Sequence, residues 1–585
     1  MYAFNRARFT AIPLAIPLAL SVFHARSRNS NDAGSISCDG NPDAVKDLIK
    51  RRRDELAGVY RDFMGVTKTP GLVGCIIHNG EIVYSTVSGT SNVRNNTPVD
   101  RCTRFRIASM SKSFTAMAIV KLRDEGKLSL DDKASKYFNI KDGKGRDKNP
   151  FDKQSIDSPD VTIRDLLTQF SGLPQDDPWG DRLLDIPEKA LYDMAARGFA
   201  MSTETRSKFE YSNLGYAILG AIITKVAGMP FQQYIGESIF KPLGMNDTTF
   251  DVRTVADANK LAQGYRWEDG EWKEEPYLGD GVFGAMGGII TTLDDFAKYA
   301  AYHQSTYDSS LPIANNLVVS RTSLREMHRG VSMDGVVVAD GADVDDDAAR
   351  LPKILLHTKG NPQDTEFDKL GLTSGHKPYP PFATSYAYGL RANIDSHKNT
   401  WVRHAGGLPG FGSDWRFYPE HGLAFVTFAN RTYAPVYKLH AHLGYLLVQA
   451  KDKETVKKKS FQMMSQGVLE QKRGLIKVIQ SHVKRSNYDN MRNPPSGVFA
   501  DNFFLDRSKE QWGACMDAVA AMLGDIHEIS DVRAENNLRG TFDITSRSGR
   551  KATVYFTLSP DISKVQELVV TVSERPAVTG SKEGG

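Results

Sequence analysis

Phe105-Arg106-Ile107-Ala108-Ser109-Met110-Ser111-Lys112 is the stretch on which the reading of this chain turns. It sets a serine and a lysine three residues apart at the start of an apolar run containing Phe114, Met117, Ala118, Ile119, Val120 and Leu122. Apolar nearly all round, residues 114–122 predict a helix inside a domain, not on its surface, ended by Gly126. If residues 109–125 are helical, the spacing puts both polar side chains on one face, a turn apart. A serine hydroxyl is a poor nucleophile at neutral pH, so chemistry needs a base within hydrogen-bond reach and donors aimed at the oxyanion. Lys112 is a candidate for the first need, and a charge entering a buried helix needs a partner.

Working outward, residues 43–64 have helical spacing, with Val45, Leu48, Leu56, Val59, Tyr60 and Phe63 among charges. Two strands follow at 71–77 and 82–89, and His78-Asn79-Gly80-Glu81 between them is a hairpin signal. Downstream of the quoted stretch, residues 127–262 read mainly as helix, including 162–170 and 214–226. Strands return at 401–404, 412–418 and 423–428, the last two joined by Pro419-Glu420-His421-Gly422. The fold class this predicts is α+β: an antiparallel sheet flanked by helices, with an inserted all-helical subdomain at about 127–262.

At 585 residues the chain is long enough for more than one unit. The reading divides it into a secretory signal at 1–25, a catalytic region at 40–455, a linker helix at 456–497, a small C-terminal α+β domain at 498–575 and a disordered tail at 576–585. The signal rests on Arg6 and Arg8 ahead of a short apolar run, too short to span a bilayer, and predicts a secreted protein. Residues 335–381, rich in Asp, Gly, Pro and Lys, read as a mobile insert, and its cluster at Asp343, Asp345, Asp346 and Asp347 fits a solvated loop better than a calcium site. In the C-terminal unit Ser508-Lys509-Glu510-Gln511 is a capping-box pattern opening a helix with Trp512, Met516, Val519 and Leu523 on one face. Strands are expected at 526–532, 538–545, 552–558 and 565–572.

Seventy-four basic residues against 70 acidic ones give a charge of +4, too near balance for a nucleic-acid footprint. Four cysteines are too few for a disulfide scaffold at this length. Cys75 and Cys515 read as small buried hydrophobes, and Cys38 and Cys102 as a possible bridge in a secreted chain. Asn95, Asn246 and Asn430 head glycosylation triplets.

Two distant segments complete the picture: Tyr211-Ser212-Asn213-Leu214-Gly215-Tyr216 and His404-Ala405-Gly406-Gly407-Leu408-Pro409-Gly410-Phe411. With the stretch at Ser109 they resemble, in order, the three motifs of the serine β-lactamase and penicillin-binding-protein superfamily, closest to its class C-like members. Leu128-Ser129-Leu130-Asp131-Asp132, Ser171-Gly172-Leu173-Pro174 and Pro242-Leu243-Gly244-Met245 are similar to that family too, and the likeness covers roughly 59–430. The resemblance implies a nucleophile at Ser109 that forms an acyl-enzyme, with Lys112 and Tyr211 as alternative bases. It also implies substrate contacts from Asn213, His404, Gly406 and Gly407, with oxyanion donors at the N–H groups of Ser109 and Gly407. Plain structural roles compete: a helix cap for Ser109 or Asn213, a core ring for Tyr211, a satisfied strand histidine for His404, a bulge for the glycines. His404 stands where the penicillin-cleaving pattern has a lysine, which removes a permanent cation, and Gln169-Phe170 departs from the usual polar pair.

The function expected is therefore a serine hydrolase acting on an ester, amide or peptide, in the manner of an esterase, D-aminopeptidase or carboxypeptidase, with no cofactor or metal. An acyltransferase, a β-lactamase and a non-catalytic binding relative are the alternatives.

Overall fold

The computed structural model describes residues 42–449, with breaks at 139, 142–143, 152–154, 178, 256, 258–259, 308–317 and 338–380, and beyond them 455–456, 498–499, 503, 508–536, 539–558 and 564–572. The signal at 1–25, Cys38, the aspartate cluster at 343–347, nearly all of the linker at 456–497 and the tail lie outside the described residues.

The expected first helix is two, α1 (Pro42–Arg51) and α2 (Arg53–Thr67), because Arg52 leaves helical geometry at φ −96°, ψ 11°. Strands β1 (Gly71–His78) and β2 (Glu81–Asn92) form the hairpin, with Asn79 at φ 52° and Gly80 at φ 83°. Those two left-handed residues match the right-handed strand twist, which is why Asn-Gly was readable there. Then come β3 (Thr97–Pro98), β4 (Phe105–Arg106), the ribbon β5 (Tyr265–Glu268) and β6 (Glu271–Glu274), and β7 (Ile290–Thr291), which pairs with β4. The sheet is completed by β8 (Ser332–Val337), β9 (Phe382–Tyr386), β10 (Arg391–Asp395), β11 (Thr400–Leu408), β12 (Phe411–Tyr418) and β13 (Leu423–Ala429). Its nine antiparallel strands run in the order β3-β2-β1-β13-β12-β11-β10-β9-β8.

Both faces of the central strands are covered. Val73, Cys75 and Ile77 of β1, with Ala424, Val426 and Phe428 of β13, enter one core, while Leu72 and Ile76, with Leu423 and Phe425, enter another beneath α1 and α2. Double coverage makes β1 and β13 continuous apolar runs without alternation. The larger core holds α3 (Ser111–Asp124), eleven of whose residues are buried, as the apolar pattern predicted. Around it stand α4 (Ile163–Leu167), α5 (Glu188–Arg197), α6 (Asn213–Ala227), α7 (Phe231–Ile235), α8 (Gly284–Gly287) and α9 (Leu293–Gln304). Between β4 and β5 the described residues contain helices and isolated bridges but no strand.

Several expectations change. Strands β8, β9 and β10 and the ribbon β5–β6 were not foreseen, since short segments such as Phe-Ala-Thr-Ser-Tyr and Arg-Ala-Asn-Ile-Asp bury too few side chains to leave an apolar signature. The compositional boundary at Gly335 falls inside β8. Cys102 is a free, exposed thiol and its expected bridge partner, Cys38, lies outside the described residues, while Cys515 is exposed on its helix, not buried. Asn430 is fully buried and its amide bonds Gly71 N–H and the carbonyls of Thr90, Ser91 and Gln263, which shuts that triplet to glycosylation.

Near the C-terminus the helix Lys509–Leu523 starts with a formed capping box, Ser508 with Gln511, and buries Met516, Val519 and Leu523. They share a core with β16 (Arg539–Ser546), β17 (Lys551–Leu558) and β18 (Val565–Val572). The strand expected at 526–532 ends at Ile529 as β14 (Ile526–Ile529), and a further strand not expected, β15 (Arg533–Asn536), follows; both pair with β16.

Candidate active site

Ser109 lies in a single 3-10 turn, Ala108–Met110, that runs directly into α3. No cap is made by its side chain. Ala108 just before it is held at φ 50°, a left-handed conformation that a residue with a Cβ adopts only when its surroundings impose it. They do: Ile107 N–H donates to Ile289 O at 3.0 Å, Ser413 Oγ to Ile107 O at 2.8 Å, and Ile289 N–H to Ser111 Oγ at 3.1 Å. Gly406 on β11 faces the same turn, where a Cβ would collide with Ile107 O and Ser413 Oγ. Glycine there lets the strand approach the serine turn closely.

Lys112 is completely buried one turn on. Its Nζ donates to Ser109 Oγ at 3.0 Å, Asn213 Oδ1 at 2.7 Å and Met286 O at 3.1 Å, so each ammonium proton has an acceptor. Burial draws its pKa down from 10.5 to about 8, against the pull of Asp177, Asp181 and Asp176. The Tyr211 ring centroid lies 4.9 Å from Nζ, and its hydroxyl bonds the Ser109 side chain. Loss of hydration holds that phenol well above its usual 10, leaving it neutral.

Tyr211-Ser212-Asn213 is locked from several sides. Ser212, not Asn213, caps α6, its hydroxyl accepting from Gly215 N–H. Buried Gln169 clamps Ser212 at two points, accepting from its N–H at 3.0 Å and donating to its carbonyl at 3.3 Å. The departure noted at Gln169 is thus a brace for the second motif. Asp176 Oδ1 takes Asn213 N–H at 2.7 Å, and Asp177 Oδ1 takes Asn213 Nδ2 at 2.5 Å.

His404 on β11 is buried, and both ring nitrogens are engaged. Nδ1–H donates to Ala405 O at 2.6 Å, which leaves Nε2 to accept from Tyr386 O–H at 2.9 Å. Burial, then the nearby charges of Lys112, Arg391 and Arg403, push its pKa well below 6.5, so the ring is neutral. A second cation close by is Arg391 of β10, stacked over Phe209, Tyr211 and Tyr386 and paired with Asp334. Gly407 lies under Tyr433, where a Cβ would come within 2.7 Å of the ring, and the Tyr433 hydroxyl donates to Asp181 at 3.0 Å.

All seven residues singled out from the sequence therefore belong to one locality. Sequence reasoning missed Asp176, Asp177, Asp181, Met286, Tyr386, Arg391 and Tyr433. Only Asp176-Asp177 had a usable signal, standing one residue beyond Ser171-Gly172-Leu173-Pro174. Among the described residues no group of three or more His, Cys, Asp or Glu is arranged to hold a metal, and no single helix is long and apolar enough to cross a membrane.

The Beta-lactamase family model matches residues 56–449. Beta-lactamase-like protein 2 of Dictyostelium discoideum is 30% identical over 285 residues, 46% of this chain and 49% of that protein. Protein flp of Staphylococcus aureus strain MW2 is 27% identical over 394 residues, 66% of this chain and 65% of that protein. The chain thus spans about half the length of the first and just under two thirds of the second. Among solved structures, the octameric penicillin-binding protein homologue from Pyrococcus abyssi superposes with a TM-score of 0.52 at 20% identity, covering 89% of this chain and 98% of that one, a likeness of fold. With two thirds of its length matched, the chain belongs to the Beta-lactamase family and has an α+β transpeptidase-like fold.

Proposed function

We propose that the protein hydrolyses an ester or amide through an acyl-enzyme on Ser109. The observation that carries this reading is the 3.0 Å contact between Lys112 Nζ and Ser109 Oγ inside a water-poor pocket. Lys112 is the better base of the two, because burial brings its neutral form within reach near pH 8 whereas Tyr211 is driven away from phenolate. In this reading neutral Lys112 takes the Ser109 proton as Oγ attacks the acyl carbon. Neutral Tyr211 then donates to the departing oxygen or nitrogen; when water attacks the acyl-enzyme, Tyr211 recovers a proton from that water and the Lys112 ammonium returns its proton to the leaving Ser109 Oγ. The N–H groups of Ser109 and Gly407 receive the oxyanion, and His404, with no spare nitrogen, walls the acyl pocket. The same residues serve an esterase, a D-aminopeptidase or a carboxypeptidase-like enzyme, and the leaving group decides among them.

The test is intact-mass analysis after a fluorophosphonate probe, on wild type and Ser109→Ala, followed by turnover of short esters, D-amino-acid amides and β-lactams. One adduct on wild type and none on the variant is expected, with labelling that speeds up as pH rises through about 8. Equal labelling of both proteins would remove the reading. Product analysis with an added alcohol or amine separates hydrolase from acyltransferase.

A further inference from the structure

We propose that Asp177 is a positioning residue for the Ser109 nucleophile, acting through the carboxamide of Asn213. The proposal rests on the assignment of Ser109 and Lys112 above. A chain of hydrogen bonds runs from Asp177 Oδ1 to Asn213 Nδ2 at 2.5 Å, from Asn213 Oδ1 to Lys112 Nζ at 2.7 Å, and from Lys112 Nζ to Ser109 Oγ at 3.0 Å.

The middle link is where the sequence leaves the outcome open. A carboxamide has nearly the same shape either way round, and only its partners decide which end carries the oxygen. Turned over, Asn213 would present its NH2 to an ammonium, donor against donor, and Lys112 would lose one of its three acceptors inside the core. A carboxylate can only accept, so Asp177 fixes the NH2 end on itself and the oxygen on Lys112. The other two constraints on Asn213 do not choose an orientation: Asp176 holds its backbone N–H, and Gly180 packs so that a Cβ there would lie 2.8 Å from Asn213 Cβ. Asp177 is exposed, so replacing it opens no cavity in the core.

Asp177 also acts through charge. The titratable and charged groups facing Lys112 are Asp176, Asp177 and Asp181 from the loop, Tyr211 and Tyr216 at the start of α6, and His404 from β11. Asp177 is the strongest of the three carboxylates holding the ammonium in its protonated form. Orientation and charge have different signatures, which makes them separable. Asn at 177 keeps an acceptor for Asn213 but removes the charge, whereas Leu removes both.

The experiment is a pH profile of fluorophosphonate labelling of Ser109 for the full-length wild type, Asp177→Asn and Asp177→Leu, with thermal melting alongside. Both variants are expected to move the rising limb to lower pH. The Asn variant should keep its plateau within about threefold, and the Leu variant should lose about tenfold or more, in line with the cost of misplacing a reacting group. A Leu profile that overlays wild type overturns the proposal, and so do equal plateau losses in the two variants. If Leu fails to fold, the Asn variant and the next measurement decide. In protein selectively 13C-labelled at lysine, the Lys112 Cε resonance, assigned with Lys112→Arg, should titrate at lower pH in either variant than in wild type, and an unmoved midpoint overturns the proposal without reference to activity. Wild type labelling no better than Ser109→Ala would instead defeat the hydrolase assignment, and the Lys112 titration would still judge Asp177.

Discussion

Two polar constellations lie on opposite faces of the same sheet. On one face Ser109, Lys112 and Tyr211 meet beneath β11. On the other, Asp414 of β12 accepts from His440 Nδ1–H at 2.7 Å while His440 Nε2 meets Thr427 Oγ1 at 2.8 Å, an acid, imidazole and hydroxyl in the order a hydrolytic triad requires. All three are fully buried, under the helix Val436–Gly444, with Arg403 3.4 Å from Asp414. Ser109 by contrast keeps 8% of its surface, and its partner Tyr211 is partly exposed. Hydrogen-bond geometry alone therefore does not make a site. The open constellation also has what the sealed one lacks: a serine on a turn forced into a left-handed step at Ala108, and a glycine at 406 that lets β11 approach that turn closely.

The sharpest way to break this contrast is Lys112→Met. Labelling of Ser109 should fall about 10²–10⁴-fold, the range of a positioned general base, as read by probe kinetics on folded protein. Less than a tenfold change would put the base elsewhere.

The mirror experiment is His440→Ala. It should lower stability by about 3 kcal/mol, because Asp414 is left buried with a poorer partner, while Ser109 labelling per folded molecule stays unchanged. Denaturant unfolding reads the first and probe kinetics the second, and a loss of labelling with stability retained would mean the far face is catalytic after all.

Acid should act on the sealed network too. Burial pushes His303, His328, His404 and His440 below 6.5, His328 to about 3. A depressed histidine pKa means that the unfolded chain binds more protons than the folded one below about pH 6.5, so stability is full above that pH and is lost as pH falls through it. Melting temperature should drop steadily on acidification, and His440→Gln should flatten part of that slope.

The smallest effect is expected at Cys102→Ser. An exposed free thiol in neither constellation should change stability by less than about 0.5 kcal/mol, with or without reductant. A larger loss, confined to oxidising conditions, would show that Cys102 enters a disulfide.

The sequence carried the hairpin at Asn79-Gly80, the buried helix after Ser109, the strands β11 to β13 and the three motifs, because each has a local cause: a turn needing left-handed residues, or an apolar run with both faces covered. It was silent where the cause is distant. Strands β8 to β10 are short segments near one end of the sheet whose pairing, not composition, makes them strands. The motif residues were legible as chemistry but not as contacts: a histidine at 404 reads as available until Tyr386, arriving from β9, takes its free nitrogen.

The chain by itself thus determined the family and the pairing of Ser109 with Lys112, since these reside in residue type and short spacing. Tertiary structure decided their state. Burial lowered Lys112 toward its neutral form, kept Tyr211 protonated and made His404 neutral, and residues distant in sequence, such as Asn213 and Asp177, chose which protons face which acceptors. Desolvation and pairing depend on what the folded chain brings within a few ångströms, and that is set by packing and not by any single segment.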